Sequence, residues 1–219
     1  MAKRSDWLRG GIAAILLAEA VAGAVTGRWS LVFIALSALG LSLLPVLFAR
    51  WVGLRLPRSF LAAIAVFVFA TMYLGEALDF YERLWWWDLA LHFGSALGFG
   101  VVGFLFVFIQ FEGDRYAAPP WAIAFLSMTI AISIGVTWEI FEFAMDQIFG
   151  LTMQKSGLVD TMYDLIVDVV GAFIGAAAGY LYLKGRQFGG IGVSIDQFVT
   201  LNRDWFRKFS KFIDPRKGK

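Results

Sequence analysis

Long apolar stretches separated by short polar segments run through most of the chain. Six of them reach about 20 residues, which lets a helix cross a hydrocarbon core of roughly 30 Å. They cover residues 7–26, 30–49, 60–78, 88–109, 121–147 and 160–183. The pattern predicts an all-α polytopic membrane protein with six transmembrane helices in one bundle.

Composition supports the same class of protein. Hydrophobic residues make up 59% of the chain, well above their share in soluble domains. The sequence contains no cysteine, which excludes disulfide bonds and thiolate metal ligands. No linker divides residues 1–183, which form the predicted transmembrane domain, and residues 184–219 form a basic tail.

The distribution of lysine and arginine indicates which loops face the cytoplasm. With the N-terminus inside, the inner segments carry sixteen of these residues and the outer loops carry three. The three outer residues are Arg28, Arg83 and Lys155. We therefore expect both termini on the cytoplasmic side.

The tail has the pattern of an amphipathic interfacial helix. Its apolar residues recur at near-helical spacing between basic ones, and they are Phe198, Leu201, Trp205, Phe209 and Phe212. Attraction to anionic lipid headgroups accounts for the positive charge, whereas nucleic-acid binding is a poor explanation beside a membrane domain. Docking onto a membrane-protein partner is the alternative interpretation.

Three of the apolar stretches carry clusters of acidic residues, one of them with the chain's single histidine. They are Asp88 and His92 in the fourth, Glu139, Glu142 and Asp146 in the fifth, and Asp160, Asp164 and Asp168 in the sixth. Carboxylates are costly inside a bilayer, so they usually face a bundle interior and mark a functional site. Spacings of three or four residues place each set on one helix face, and the predicted orientation places all three sets near the outer surface.

A bound divalent cation would compensate this negative charge, because these three stretches contain no lysine or arginine. Oxygen ligands with one imidazole suit Mg²⁺, Mn²⁺, Ca²⁺ or Zn²⁺. The predicted metal ligands are His92, Glu142, Asp164, Asp88 and Asp160. The predicted general bases, which lie deeper in their helices, are Glu139 and Asp168.

A simpler interpretation exists for the residues nearest the water boundary. Asp88 and Asp160 are suitable helix N-caps, and an isolated histidine is more often structural than a ligand. Glu139, Asp164 and Asp168 lie deeper, and they are the hardest to explain without a function.

Glycines at intervals of four residues predict close packing between helices. Gly171, Gly175 and Gly179 form such a stripe in the sixth stretch, and Gly94 and Gly98 form one in the fourth. Small residues let helix backbones approach each other where lipid offers no hydrophobic driving force. We expect these stripes to hold the polar helix ends together.

Three short motifs follow one another along the chain. They are W-D-x-x-x-H ending at His92, W-E-x-x-E ending at Glu142, and D-T-x-x-D ending at Asp164. Over residues 60–183 the chain resembles the bacterial inner-membrane proteins of the YjdF type. It resembles more distantly the VanZ-like membrane proteins linked to glycopeptide resistance, although the arginine and glutamine expected beside the VanZ glutamate are missing. The resemblance implies a multi-helix fold with a polar site in the bacterial inner membrane, without a settled activity.

Three classes of function fit these features. Our prediction is an intramembrane metal-dependent hydrolase of a lipid or lipid-linked phosphate, in which the metal polarises a phosphoryl oxygen and activates water. A cation or proton transporter would use the carboxylates as a relay. A non-catalytic accessory subunit of a membrane complex would hold the metal for structural reasons only.

Overall fold

The computed structural model describes residues 2–111, 118–186 and 189–205. Within these ranges all regular structure is helical, and no strand occurs. The helices are α1 (Ala2–Val25), α2 (Trp29–Trp51), α3 (Arg58–Val68), a π-helical segment (Phe69–Ala77), α4 (Phe80–Arg83), α5 (Trp87–Phe111), α6 (Pro120–Phe149), α7 (Leu158–Leu183) and α8 (Gly189–Leu201).

Six helical segments are long and apolar enough to cross a membrane. They are Arg4–Val25, Trp29–Trp51, Arg58–Ala77, Trp87–Phe111, Pro120–Phe149 and Leu158–Leu183. Their bounds agree with the six predicted stretches to within a few residues, and this confirms the predicted all-α membrane protein. Helix α6 has 30 residues and so extends for about 45 Å, beyond a hydrocarbon core of roughly 30 Å.

Local sequence signals explain where several helices begin and end. Helix α6 begins at Pro120, directly after Pro119, because the first turn needs no amide hydrogen there. It ends before Gly150, whose φ of 67° lies in the left-handed region that commonly terminates helices. Helix α3 likewise follows Pro57. The third span changes from α-helical to π-helical hydrogen bonding at Phe69.

The chain divides into two compact units. The first unit comprises Met1–Trp87 and Gln197–Trp205, and the second comprises Asp88–Asp196 and Phe206–Lys219. Residues 206–219 lie outside the described part of the chain. The proposed division into a membrane domain, residues 1–183, and a tail, residues 184–219, rests on composition and stays a prediction.

The helices of the first unit share an apolar buried cluster. This cluster consists of Ile12, Leu16, Ala20, Ala35, Ala38, Ala65 and Tyr73. Four of these residues are alanines, whose small side chains let the helices of the unit pack closely.

The C-terminal part of the described chain folds onto the first unit. The Arg55 amide donates a hydrogen bond to Oδ1 of Asn202 at 2.7 Å, and Nδ2 of Asn202 donates to the Arg55 carbonyl at 2.8 Å. Nε1 of Trp205 donates to the Val52 carbonyl at 2.9 Å. These hydrogen bonds attach Asn202 and Trp205 of the tail to the connection between α2 and α3.

The amphipathic pattern of the tail is therefore used partly for packing within the protein. Phe198 is buried and stacks on Phe60, with ring centroids 6.1 Å apart. Phe209 and Phe212 lie outside the described residues. The proposed contact of the tail with anionic headgroups stays a prediction.

Candidate metal centre

Helices α5, α6 and α7 of the second unit carry the predicted site residues, and glycines bring α5 and α7 into backbone contact. A Cβ atom at Gly171 would lie 3.0 Å from the amide nitrogen of Leu97, and one at Gly100 would lie 2.9 Å from the Ala172 carbonyl oxygen. A Cβ atom at Gly175 would likewise collide with the α5 backbone. These distances leave no room for a side chain, so the two helices hold their polar ends close together.

The predicted stripe of Gly94 and Gly98 on α5 is wrong, because no neighbouring atom lies within 4 Å of a Cβ at either position. The packed glycines of α5 are Gly100 and Gly103, and a Cβ at Gly103 would lie 2.9 Å from the Ser127 carbonyl of α6. Residues three apart differ by about 60° around a helix. Gly100 can therefore contact α7 while Gly103 contacts α6. Glycines four residues apart lie on nearly the same face of a helix and would not contact two different helices in this way.

His92 lies in the second turn of α5 and is buried. Its Nδ1 lies 3.4 Å and 3.5 Å from the two carboxylate oxygens of Asp168 on α7. Its Nε2 lies 3.7 Å from Oε1 of Glu139 on α6. A neutral imidazole with its proton on Nδ1, toward Asp168, would present the Nε2 lone pair, and this is the usual arrangement of a metal-binding histidine.

His92, Glu139 and Glu142 form a buried group that we term the inner trio. Each residue offers one ligand atom, and these atoms lie within 4.8 Å of one another. Nε1 of Trp138 donates a hydrogen bond to Oε1 of Glu142 at 2.9 Å. The inner trio therefore combines one imidazole with two carboxylates, one of which is already oriented by a neighbouring side chain.

Glu139 has an unusual environment for a carboxylate. It is 4% exposed, and neither of its oxygens has a hydrogen-bond partner among the described residues. The Thr161 hydroxyl is close enough to act as a weak hydrogen-bond donor to this carboxylate, although the contact does not meet strict hydrogen-bond geometry. Buried polar groups are nearly always hydrogen-bonded, because desolvation is otherwise uncompensated. Both oxygens of Glu139 are therefore available to bind another group.

Asp88, Asp160 and Asp164 form a second group that we term the outer trio. Their ligand oxygens also lie within 4.8 Å of one another. Asp88 and Asp160 are partly exposed in the first turns of α5 and α7. Asp164 lies one turn deeper and is 1% exposed, and its Oδ1 has no hydrogen-bond partner.

The interpretation of Asp160 as a helix N-cap is wrong. The N-cap of α7 is Gly157, and Asp160 lies within the first turn. Its Oδ2 accepts a hydrogen bond from the backbone N–H of Lys155 at 3.0 Å. Asp160 therefore stabilises the preceding turn with one oxygen.

Asp146, at the end of α6, has a structural role. Its two oxygens accept hydrogen bonds from the backbone amides of Met153 at 2.7 Å and Gln154 at 2.9 Å. The Gln154 side chain in turn donates to the Thr161 hydroxyl at 2.6 Å. These bonds fasten the connection between α6 and α7 beside the two trios.

Two residues that position the site were not identified from the sequence. A Cβ at Gly135 of α6 would collide with the Asp168 carboxylate, so this glycine makes room for the deepest acid of α7. Trp138 orients Glu142 through the hydrogen bond described above. The sequence offered two signals for these roles. One was a lone glycine within an apolar helix, and the other was a Trp–Glu pair four residues apart on one helix face.

The structure brings together all the predicted site residues of α5, α6 and α7, but it groups them differently from the predicted roles. The predicted ligands are divided between the inner trio (His92 and Glu142) and the outer trio (Asp88, Asp160 and Asp164). Glu139, a predicted base, lies among ligand candidates, and Asp168, the other predicted base, contacts the imidazole. The assigned roles stay predictions.

The fold and the site together define a six-span membrane protein with a buried acidic centre. Residues 7–185 match the family described as "Predicted membrane protein (DUF2238)", and the chain belongs to this family. An uncharacterized protein of Thermotoga maritima is 30% identical over 144 residues, which cover 66% of this chain and 73% of that protein. No solved structure matches the chain. The family agrees with the likeness to YjdF-type proteins, and neither match supports the likeness to VanZ-like proteins.

Proposed function

We propose that this protein binds a divalent metal ion at the inner trio and uses it to hydrolyse a lipid or lipid-linked phosphate. The observation that carries the proposal is the buried Glu139 carboxylate, which makes no hydrogen bond of good geometry with the described residues and whose ionic contact is the His92 imidazole at 3.7 Å. Burial penalises the charge of a carboxylate unless hydrogen bonds or cations compensate it. A metal ion held between His92, Glu139 and Glu142 would supply that compensation.

Each residue of the inner trio has a chemical role in this proposal. His92 supplies a nitrogen ligand through Nε2, and Glu139 and Glu142 supply oxygen ligands. Asp168 holds the imidazole from its Nδ1 side, as a carboxylate does behind many metal-binding histidines. A metal such as Zn²⁺ or Mn²⁺ held by these three residues would supply a Lewis acid for a phosphoryl oxygen and for water.

The distribution of polar residues favours an enzyme over a transporter. Beyond Asp168, the buried residues of α7 are glycines and alanines. Residues 93–111 of α5 and 120–138 of α6 contain no acidic or basic side chain. A transporter that relays a cation or proton between carboxylates needs them through the depth of the membrane, and these helices provide carboxylates in one half only.

We also propose that the site faces the outside of the bacterial inner membrane, with both termini in the cytoplasm and the basic tail against anionic lipid headgroups. The asymmetry of lysine and arginine between the two sets of loops supports this orientation. Reporter fusions at the C-terminus should give a cytoplasmic signal, and a periplasmic signal would contradict the orientation.

Metal binding is tested on the full-length protein in nanodiscs. After loading with Mn²⁺ or Zn²⁺ and removal of free ions, elemental analysis should find bound metal that His92→Ala and Glu139→Gln each lose. Glu76→Gln is the matched control, because Glu76 is an exposed acid of the first unit. A parent protein without bound metal, or site variants that retain all of it, would show that the inner trio is not a metal site.

Hydrolysis is tested separately from metal binding. Metal-loaded protein is incubated with phosphatidic acid and with a polyprenyl diphosphate in mixed micelles, and release of inorganic phosphate is measured. We expect release from one of these lipids that depends on metal and is lost in Glu139→Gln. Metal binding without phosphate release from either lipid would favour a structural metal in an accessory subunit.

A further inference from the structure

The outer trio is not used by the function proposed above. We propose that Asp88, Asp160 and Asp164 form a second and separate divalent-cation site with oxygen ligands only, whose ion exchanges with the surrounding solution. The inference rests on the proposed function in one respect, since it places this ion beside the metal of the inner trio. The existence of the second site does not depend on the reaction.

The burial of the three carboxylates is graded in a way that suits a cation approaching from water. Asp88 and Asp160 are partly exposed, whereas Asp164 is 1% exposed and its Oδ1 has no hydrogen-bond partner in the described part of the chain. Oδ1 of Asp164 is buried without a hydrogen-bond donor, and this observation is independent of the clustering of the three carboxylates. It indicates that Asp164 is a ligand-binding group. Two partly hydrated carboxylates complete the site on its solvent side.

The two trios share no residue and differ in donor chemistry. The inner trio takes one residue from α5 and two from α6, whereas the outer trio takes one from α5 and two from α7. Asp88 and His92 are one helical turn apart on α5, which is about 6 Å along the axis. Carboxylate oxygens alone favour Mg²⁺, Ca²⁺ or Mn²⁺, whereas an imidazole ligand favours a transition metal. The two sites should therefore differ in the ions they prefer.

Among the described residues, Lys155 and His92 interact electrostatically with Asp88, and His92 also interacts with Asp164. They supply at most two positive charges beside three carboxylates. Helices α5, α6 and α7 contain no lysine or arginine. A divalent ion at the outer trio would balance the remaining charge. It would also give an anionic headgroup the positive partner that these helices lack.

The test is a titration of metal-free, full-length protein in nanodiscs with Mn²⁺, in which free Mn²⁺ is followed by electron paramagnetic resonance. We expect two ions per chain with different affinities, and excess Mg²⁺ or Ca²⁺ should displace the weaker ion first. Asp88→Asn and Asp160→Asn should each remove the weaker ion or reduce its affinity at least tenfold. Asp79→Asn is the matched control, because Asp79 is exposed and belongs to neither trio.

The outcomes separate this inference from the proposed function. One ion that depends on His92 and not on Asp88 or Asp160 overturns the second site and leaves the proposed function intact. One ion that depends on all three residues indicates a single shared centre and also overturns the inference. Absence of any bound ion overturns both proposals. Asp88 and Asp160 lie on different helices, so misfolding of one variant would not explain the same loss in both.

Discussion

The two units of this protein bury different kinds of side chain although their spans are similarly apolar. Mean hydropathy is 1.7 to 2.5 for the three spans of the first unit and 1.7 to 1.9 for α5, α6 and α7. The buried cluster of the first unit is aliphatic, alanine and tyrosine, whereas the second unit buries one histidine and four carboxylates. The exposed faces of both units carry large apolar side chains. Phe33 is 71% exposed in the first unit and Phe173 is 60% exposed in the second.

The comparison shows that hydropathy describes the lipid-facing surface of a span and not its interior. The buried cluster of the first unit is held together by van der Waals packing between apolar side chains. The second unit buries groups that repel one another and lose their hydration. It compensates with close backbone contact at glycine and, in our proposal, with bound cations. The four predictions below test this difference, in order of decreasing effect.

The largest effect is expected where α5 and α7 touch. Gly171→Leu should lower the free energy of unfolding by about 3 kcal/mol, since a side chain there must separate the two backbones. Gly94→Leu is the matched control on α5, and its open surroundings should limit the change to about 0.5 kcal/mol. Equal losses in the two variants, measured by unfolding in mixed micelles, would show that glycine contact does not hold the second unit together.

Thermal stability should depend on divalent metal. Metal at a hundred times its dissociation constant should add about 2.7 kcal/mol, and a chelator should remove that gain. Glu139→Gln, which removes a proposed ligand of the inner trio, should respond much less than the parent. The gain should shrink as pH falls, because the ligands bind metal only when deprotonated. Melting curves of the parent that do not change with chelator would contradict a metal-compensated interior.

The first unit should lose stability without losing metal. Leu16 is fully buried among apolar neighbours, and Leu16→Ala should cost about 2 kcal/mol through the cavity that it leaves. Elemental analysis should find the same metal content as in the parent. Loss of metal in this variant would mean that the two interiors are not energetically independent.

The smallest effect is expected at Gly135, which makes room for Asp168. Gly135→Ala should displace the carboxylate that holds His92 and weaken metal binding about tenfold, as changes behind a metal ligand commonly do. Gly40→Ala is the control, because no atom lies within 4 Å of a Cβ at that position. Calorimetric titration with Mn²⁺ would measure the metal affinity of each variant. Equal affinities would contradict the role of Asp168 in positioning His92.

The sequence alone determined the six spans and the helices on which the acidic residues lie. Hydropathy over about 20 residues is a local property of the chain and needs no knowledge of neighbouring helices. Helical periodicity, which is also local, placed Asp160, Asp164 and Asp168 on one face of α7. It did not show that one oxygen of Asp160 and both oxygens of Asp146 are used by backbone amides.

Only the tertiary structure decided which residues lie close enough together to bind the same metal ion. The sequence predicted a single set of five metal ligands, whereas the structure places Asp164 with Asp88 and Asp160, apart from His92 and Glu142. The rotation and axial offset of neighbouring helices determine such groupings, and they follow from contacts such as those of Gly100 and Gly171 with the facing backbones. Those contacts join residues far apart in the chain, and no local pattern in the sequence specifies them.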